Sequence, residues 1–160
     1  MIEQILTIGV YGKSAEQFFG QLTSAKVDLF CDVRLRRGLR GSQYAFANST
    51  RLQSELASRS IRYKHFPELA PSLDIRAAQH TVDVASGVQK RSRETLSEKF
   101  KHRYITEVLG SLDSNAFRTA LGPDARRVAL FCVEGNPKAC HRSLLADRLK
   151  MDWQIPVQDL

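Results

Sequence analysis

Apolar positions in this chain fall into short unbroken runs and spaced stripes, and the two kinds alternate. Ile5 to Val10 is an unbroken β-rich run that reads as a buried strand. Ser14 stands three residues before Gln17, the spacing of a capping box, and opens a helix whose apolar face is Phe18, Phe19 and Leu22. Val27 to Val33 predicts a second strand. Ser49 to Arg59 carries Leu52, Leu56 and Ala57 at helical spacing. Ile61 to Phe66 alternates as a strand does, and Pro67 ends it.

The second half repeats the alternation less regularly. Asp74 to Ala85 and Glu94 to Leu109 have helical spacing, and a polar, basic piece separates them. Ala116 to Leu121 is a short helical segment, followed by a Gly122-Pro123-Asp124 turn. Arg127 to Val133 is the strongest strand signal in the chain. Asn136-Pro137 predicts a helix start, since Asn caps and Pro fits the first helical position. Leu144, Leu145 and Leu149 form that helix's core stripe, and Ile155 to Leu160 reads as a final short strand. Such alternation predicts an α/β fold: a mostly parallel open sheet, helices on both faces, Rossmann-like, with residues 1–160 as a single domain.

Composition narrows the picture. The 160 residues are 42% hydrophobic and 26% charged, ordinary for a globular protein with its own core. No stretch reaches the apolar length of a membrane span, and the opening residues read as a strand rather than a signal peptide. Three cysteines, Cys31, Cys132 and Cys140, make no disulfide framework, so a reducing cytoplasm is the expected location. CxxC is absent, and no metal or other cofactor is expected from the spacing. The net charge of +7 favours an anionic partner, a nucleotide or nucleic acid.

Candidate chemistry concentrates in FCVEGNPKACHRSLLADRL, residues 131–149, where a buried strand turns into a helix. Open α/β sheets bind ligands outside the carboxyl ends of their strands. Glu134 is a candidate general base or ribose-hydroxyl acceptor, with a salt bridge as the plainer reading. His141 is a candidate acid or base, and Arg142 a bidentate anion clamp. Cys140 is either a nucleophile at a helix N-terminus or a small core residue. Cys132 reads first as a core thiol. Asp32 and Arg34, two apart at a strand end, share one face and join the site as catalytic acid and ligand-binding base, or form a buried ion pair. Gly9 and Tyr11 lie at the end of the first strand and are expected to contact the ligand.

Residues 34–48 form an irregular loop with Arg34, Arg36, Arg37 and Arg40, interleaved with glycines and followed by Tyr44 and Phe46. Arginines bind phosphates and aromatics stack on bases, so Arg36, Arg37, Arg40 and Tyr44 are the candidate nucleic-acid contacts. The stretch from Lys90 to Arg93 reads as a solvated face.

The segments TIGVYGKSAEQF, DVRLRRGLRG, IRYKHFPELA and FCVEGNPKACHRSLLADRL, in that order, resemble the domain-of-unknown-function 488 family. The most specific part runs from Cys132 through Glu134 and Pro137 to the Cys140-His141-Arg142 triplet. The resemblance implies an α/β fold and no particular activity. Two positions depart from the family pattern: the segment after DVR lacks a proline, and Ala70-Pro71 stands where a double glycine often follows PEL.

Two functional expectations follow. In the first, a phosphate-bearing ligand sits between Gly9–Tyr11, Asp32–Arg34, Glu134 and Cys140–Arg142, and Glu134 or Asp32 cleaves it hydrolytically with help from His141. In the second, the chain is a non-catalytic nucleic-acid-binding or protein-interaction module, and the Cys-His-Arg cluster is structural. Oligomeric state is left open by the sequence.

Overall fold

Five strands, all parallel, make one open sheet in the computed structural model, which describes residues 1–160. The chain runs β1 (Gln4–Ile8), α1 (Ala15–Ser24), β2 (Leu29–Asp32), α2 (Ser49–Ala57), β3 (Arg62–His65), α3 (Leu73–Ser86) and α4 (Glu98–Arg103). It continues through α5 (Ser114–Leu121), β4 (Arg127–Phe131), α6 (His141–Trp153) and β5 (Val157–Asp159). The strand order is β3-β2-β4-β1-β5.

Side-chain alternation along the strands sorts the helices onto two faces. Register pairs Phe30 with Ala129 and Asp32 with Phe131, so these four point to one side. There Phe18 of α1 packs against Phe30, Phe46 and Phe131, with ring centroids 5.5–6.2 Å apart. The other side carries Thr7, Val128, Leu130 and, one step past β4, Cys132. Arg142 of α6 meets Thr7 on that side, and Lys64 reaches a carbonyl of α5 there. Helices thus cover both faces, as the alternation predicts.

Local signals work as expected at several ends. Ser14 and Gln17 close a reciprocal capping box on α1. Ser72, Ser97 and Asp113 cap α3, α4 and α5, and Gly87 ends α3 in the left-handed conformation at φ 66°. Three predicted elements differ. The expected helix Glu94–Leu109 begins only at Glu98, and past Arg103 it widens into a π turn over Tyr104–Val108 and a 3₁₀ turn over Leu109–Ser111. Within the loop of residues 34–48, Ser42–Ala47 winds into a 3₁₀ turn that buries Phe46. Asn136-Pro137 starts a 3₁₀ turn, Pro137–Ala139, not the long helix. Cys140 is then extended (φ −136°, ψ 140°), so α6 starts afresh at His141.

Successive connections place the carboxyl ends of β1, β2, β3 and β4 together on one edge. From β2 the chain moves outward to β3, whereas from β4 it crosses β1 to reach β5. The junction between β2 and β4 is therefore a point where the winding reverses, the usual place for a crevice in an open α/β sheet.

Candidate functional site

The crevice is lined by what leaves β2 and β4. Two adjoining hollows share Arg76, Lys90 and Cys132. The one toward β2, about 380 Å³, carries six cationic side chains: Arg34, Arg36, Arg40, Arg76, Lys90 and Arg91. No carboxylate lines it, and Tyr11 forms part of its wall. The one beneath α3, about 450 Å³, has Glu134, Cys132 and His141 on its floor and Gln79, Asp83 and Arg93 on its walls.

Arg91 sets the mouth of the cationic hollow. Its guanidinium lies over both the Tyr11 and Tyr44 rings, 5.3 and 5.4 Å from their centroids, and donates to the Arg40 carbonyl at 3.1 Å. Tyr11 and Tyr44 pack 5.3 Å apart, and the Tyr44 hydroxyl accepts from the Gly12 N–H. The loops after β1, β2 and α3 are thereby tied into one rim.

Glu134 is 6% exposed. One carboxylate oxygen faces Lys90 at 3.6 Å and Arg93 at 3.9 Å. The other, Oε2, is buried and has no hydrogen-bond partner. Burial raises the Glu134 pKa, and the nearby Cys132 sulfur adds to the rise against the pull of Lys90. Arg93 is held in turn by Asp83 at 2.5 Å, and Gln79 donates to Asp83 at 2.7 Å while accepting from the Ser97 N–H at the start of α4.

Below Glu134, Cys132 at the end of β4 meets Cys140 and His141 at the start of α6. His141 Nδ1 lies 3.9 Å from Cys132 Sγ and 4.0 Å from Cys140 Sγ. The ring's other nitrogen lies 3.2 Å from the Val33 carbonyl. Tyr104, on the π turn, packs its ring on His141 (5.3 Å between centroids) and donates its hydroxyl to the Leu69 carbonyl. The Cys140 thiol and the imidazole favour charge on Cys132, whose pKa falls well below the usual thiol value. Burial, with the Cys132 sulfur beside it, raises that of Cys140. The two sulfurs and Nδ1 all lie within 4.8 Å of one another, a spacing that metal ligands adopt.

Several expected site residues stand elsewhere. Asp32 and Arg34 form a buried ion pair, 0% and 3% exposed, closed by Nη2 to Oδ2 at 2.7 Å and Nε to Oδ1 at 2.9 Å. Asp32 also accepts from the Tyr63 hydroxyl at 2.8 Å, and burial beside that carboxylate pushes the Tyr63 pKa up to about 12. Arg34 donates to the Ala47 carbonyl and lies over the Phe131 ring. Asp32 is thus sealed, while Arg34 shows only a sliver to the cationic hollow.

Arg142 is 1% exposed and turned inward. It donates to the Glu134 carbonyl at 2.6 Å, to the Gly135 carbonyl at 3.4 Å and to Thr7 Oγ1 at 3.4 Å. It braces the exit of β4 and offers no clamp to the cleft. Gly9 is buried against the same bend: a Cβ there would stand 1.9 Å from the Glu134 carbonyl oxygen. Its role is close backbone approach, not ligand contact. Glu134 and His141 line one hollow, with Cys140 buried against His141; Tyr11, Arg36 and Arg40 line the other. Arg37 sits beside the Tyr63 hydroxyl instead. Sequence reasoning missed Arg76, Lys90, Arg91 and Arg93. The available signal was the basic SGVQKRSRE piece following a helix, with a glycine that can end the helix and turn the chain back.

An all-parallel open sheet with a charged crevice at its carboxyl edge defines a doubly wound α/β domain with a ligand-type cleft. The profile of the domain of unknown function DUF488 matches residues 14–149, most of the chain, and the protein belongs to that family. No curated protein and no solved structure matches the chain. No helix is long and apolar enough to cross a membrane.

Proposed function

We propose that the protein binds a phosphate-bearing ligand, a nucleotide or a segment of nucleic acid, in the hollow between β2 and the loop after α3. One observation carries this reading: six cationic side chains converge on about 380 Å³ with no carboxylate among them. Arg34 is compensated by Asp32 and Lys90 by Glu134, but Arg36, Arg40, Arg76 and Arg91 have no acid partner; like charges so placed repel each other, and a bound polyanion relieves that repulsion while releasing counterions. Tyr11 and Tyr44 at the rim supply faces on which a base stacks. Calorimetric titration with nucleoside mono-, di- and triphosphates and with a short single-stranded oligonucleotide tests it. Affinity should rise with phosphate count, and Arg36→Ala with Arg40→Ala should weaken it about tenfold or more. Equal, weak heats for all of them would refute the reading.

A hydrolytic step is favoured by one further feature, the unpartnered buried oxygen of Glu134 beside the hollow. A carboxylate with a raised pKa and a free oxygen suits proton abstraction from water. Glu134→Gln should keep ligand affinity within about twofold and abolish turnover; turnover that survives the change removes Glu134 from the chemistry.

A further inference from the structure

Cys132, Cys140 and His141 come from the end of β4, the residue before α6 and the first residue of α6. The fold, not their spacing along the chain, brings their Sγ, Sγ and Nδ1 atoms within 4.8 Å of one another. Tetrahedral zinc, with bonds of about 2.3 Å to sulfur and about 2.0 Å to nitrogen, sets neighbouring sulfur and nitrogen ligands about 3.6 Å apart. The observed 3.9 and 4.0 Å lie a few tenths of an ångström from that edge.

The tautomer points the same way. A carbonyl oxygen only accepts, so the 3.2 Å contact between His141 Nε2 and the Val33 carbonyl puts the ring hydrogen on Nε2. In the neutral ring Nδ1 then turns its lone pair toward both sulfurs, the form that binds a cation. Metal-binding histidines are oriented by this kind of outer hydrogen bond. Tyr104 packs on the ring as well, 5.3 Å between centroids.

An independent observation concerns Glu134. Its Oε2 is buried without a partner, and it lines the same hollow as Cys132 and His141. Its carboxylate is not one of the group lying within 4.8 Å, so it stands beside the cluster and not in it.

We infer that Cys132, Cys140 and His141 form a site for zinc or a similar thiophilic divalent cation, with its fourth position open to the hollow. Water fills that position, and Glu134 Oε2 accepts a hydrogen bond from it. Thiolate and imidazole donors select such a cation over magnesium or calcium. On binding, each thiol releases its proton to solvent; two thiolates and one divalent cation are together neutral, which keeps burial of the charges inexpensive. Three protein ligands with one open position mark catalytic rather than structural zinc. The inference does not depend on the phosphate reading.

The test uses the full chain, reduced and freed of metal, titrated with zinc and with cobalt. One equivalent of metal per chain is expected, with the charge-transfer absorption of a cobalt–thiolate bond and with zinc slowing alkylation of Cys132 and Cys140. Cys132→Ser and Cys140→Ser should each cut the band at saturating cobalt to about half or less, one thiolate of two being lost, and weaken zinc at least about tenfold, whereas Cys31→Ser should keep both. Arg36→Ala with Arg40→Ala should leave the band intact, so loss of phosphate binding and loss of metal are read separately. A folded, reduced wild-type chain that shows no band overturns the inference. So does a band of undiminished intensity in Cys132→Ser, or a Cys132–Cys140 disulfide whose reduction restores no metal binding. Circular dichroism confirms folding of each variant, and the wild-type readouts decide alone if a serine variant does not fold.

Discussion

Asp32 and Arg142 show how a residue that reads as chemistry becomes architecture once neighbours are counted. Asp32 takes four hydrogen-bond donors, the backbone N–H, Nε and Nη2 of Arg34 and the Tyr63 hydroxyl, and has no surface left. Removing one partner of such a buried pair strands the other. Arg34→Met should therefore cost about 3–5 kcal/mol in urea unfolding, and Asp32→Leu with Arg34→Met should recover part of that loss. If the double variant is no better than the single, the charge left behind is not the cause. Gly9 belongs to the same scale: alanine there meets the Glu134 carbonyl oxygen. Gly9→Ala should destabilise by about 1–3 kcal/mol through overpacking and displace the Glu134 bend; an unchanged urea midpoint would show that the two strand exits are free to part.

At the scale of elements, the segment from α3 to α4 is what completes the cleft. α3 presents Gln79 and Asp83 on one face, and Gly87 turns the chain so that Lys90 and Arg93 return over Glu134. Leu96 N–H then bonds the Lys138 carbonyl, pinning this segment to the turn before Cys140. Burial alone would raise the Asp83 pKa, but the hydrogen bonds from Arg93 and Gln79 outweigh it and hold the carboxyl below its usual value. A depressed carboxyl contributes stability above its unfolded pKa, about 3.9, and loses it as pH falls through the lower folded value. Urea midpoints measured down the acid side should fall less steeply for Asp83→Asn than for wild type below about pH 4. Identical slopes would remove Asp83 from the acid response.

The three central strands, β1, β2 and β4, were legible as apolar runs, because burial on both faces leaves little room for polar residues, whereas the edge strand β3 showed itself only by alternation. The π turn at Tyr104 and the break at Cys140 were not. Both depend on contacts far along the chain, Tyr104 with Leu69 and His141 with Val33. The site was legible in part: Glu134 and His141 stand together from a single stretch, and Tyr11, Arg36 and Arg40, from two other segments, line the adjoining hollow. The basic SGVQKRSRE piece looked like a solvated surface, since nothing in its spacing says that Gly87 folds it back across the end of β4.

For the whole molecule, the net charge of +7 is unevenly used. Several of the 24 lysines and arginines are matched in ion pairs such as Arg59 with Glu55 and Arg103 with Glu107, which are exposed and contribute little. Four of the six cationic side chains that line one hollow, Arg36, Arg40, Arg76 and Arg91, instead stand without an acid partner, while Arg34 pairs with Asp32 and Lys90 with Glu134. A general basic surface and a built anion site differ in how binding answers to salt and to position. The most direct measurement is the salt dependence of oligonucleotide binding, followed by fluorescence anisotropy for wild type and for Arg36→Ala, Arg40→Ala and Arg91→Ala combined. A built site predicts a log–log slope reduced by about 2 in the triple variant, near 0.7 per lost phosphate contact on a single strand, while a control change of Lys26 and Lys150 leaves it unaltered. Equal slopes for the triple variant and wild type would contradict the account.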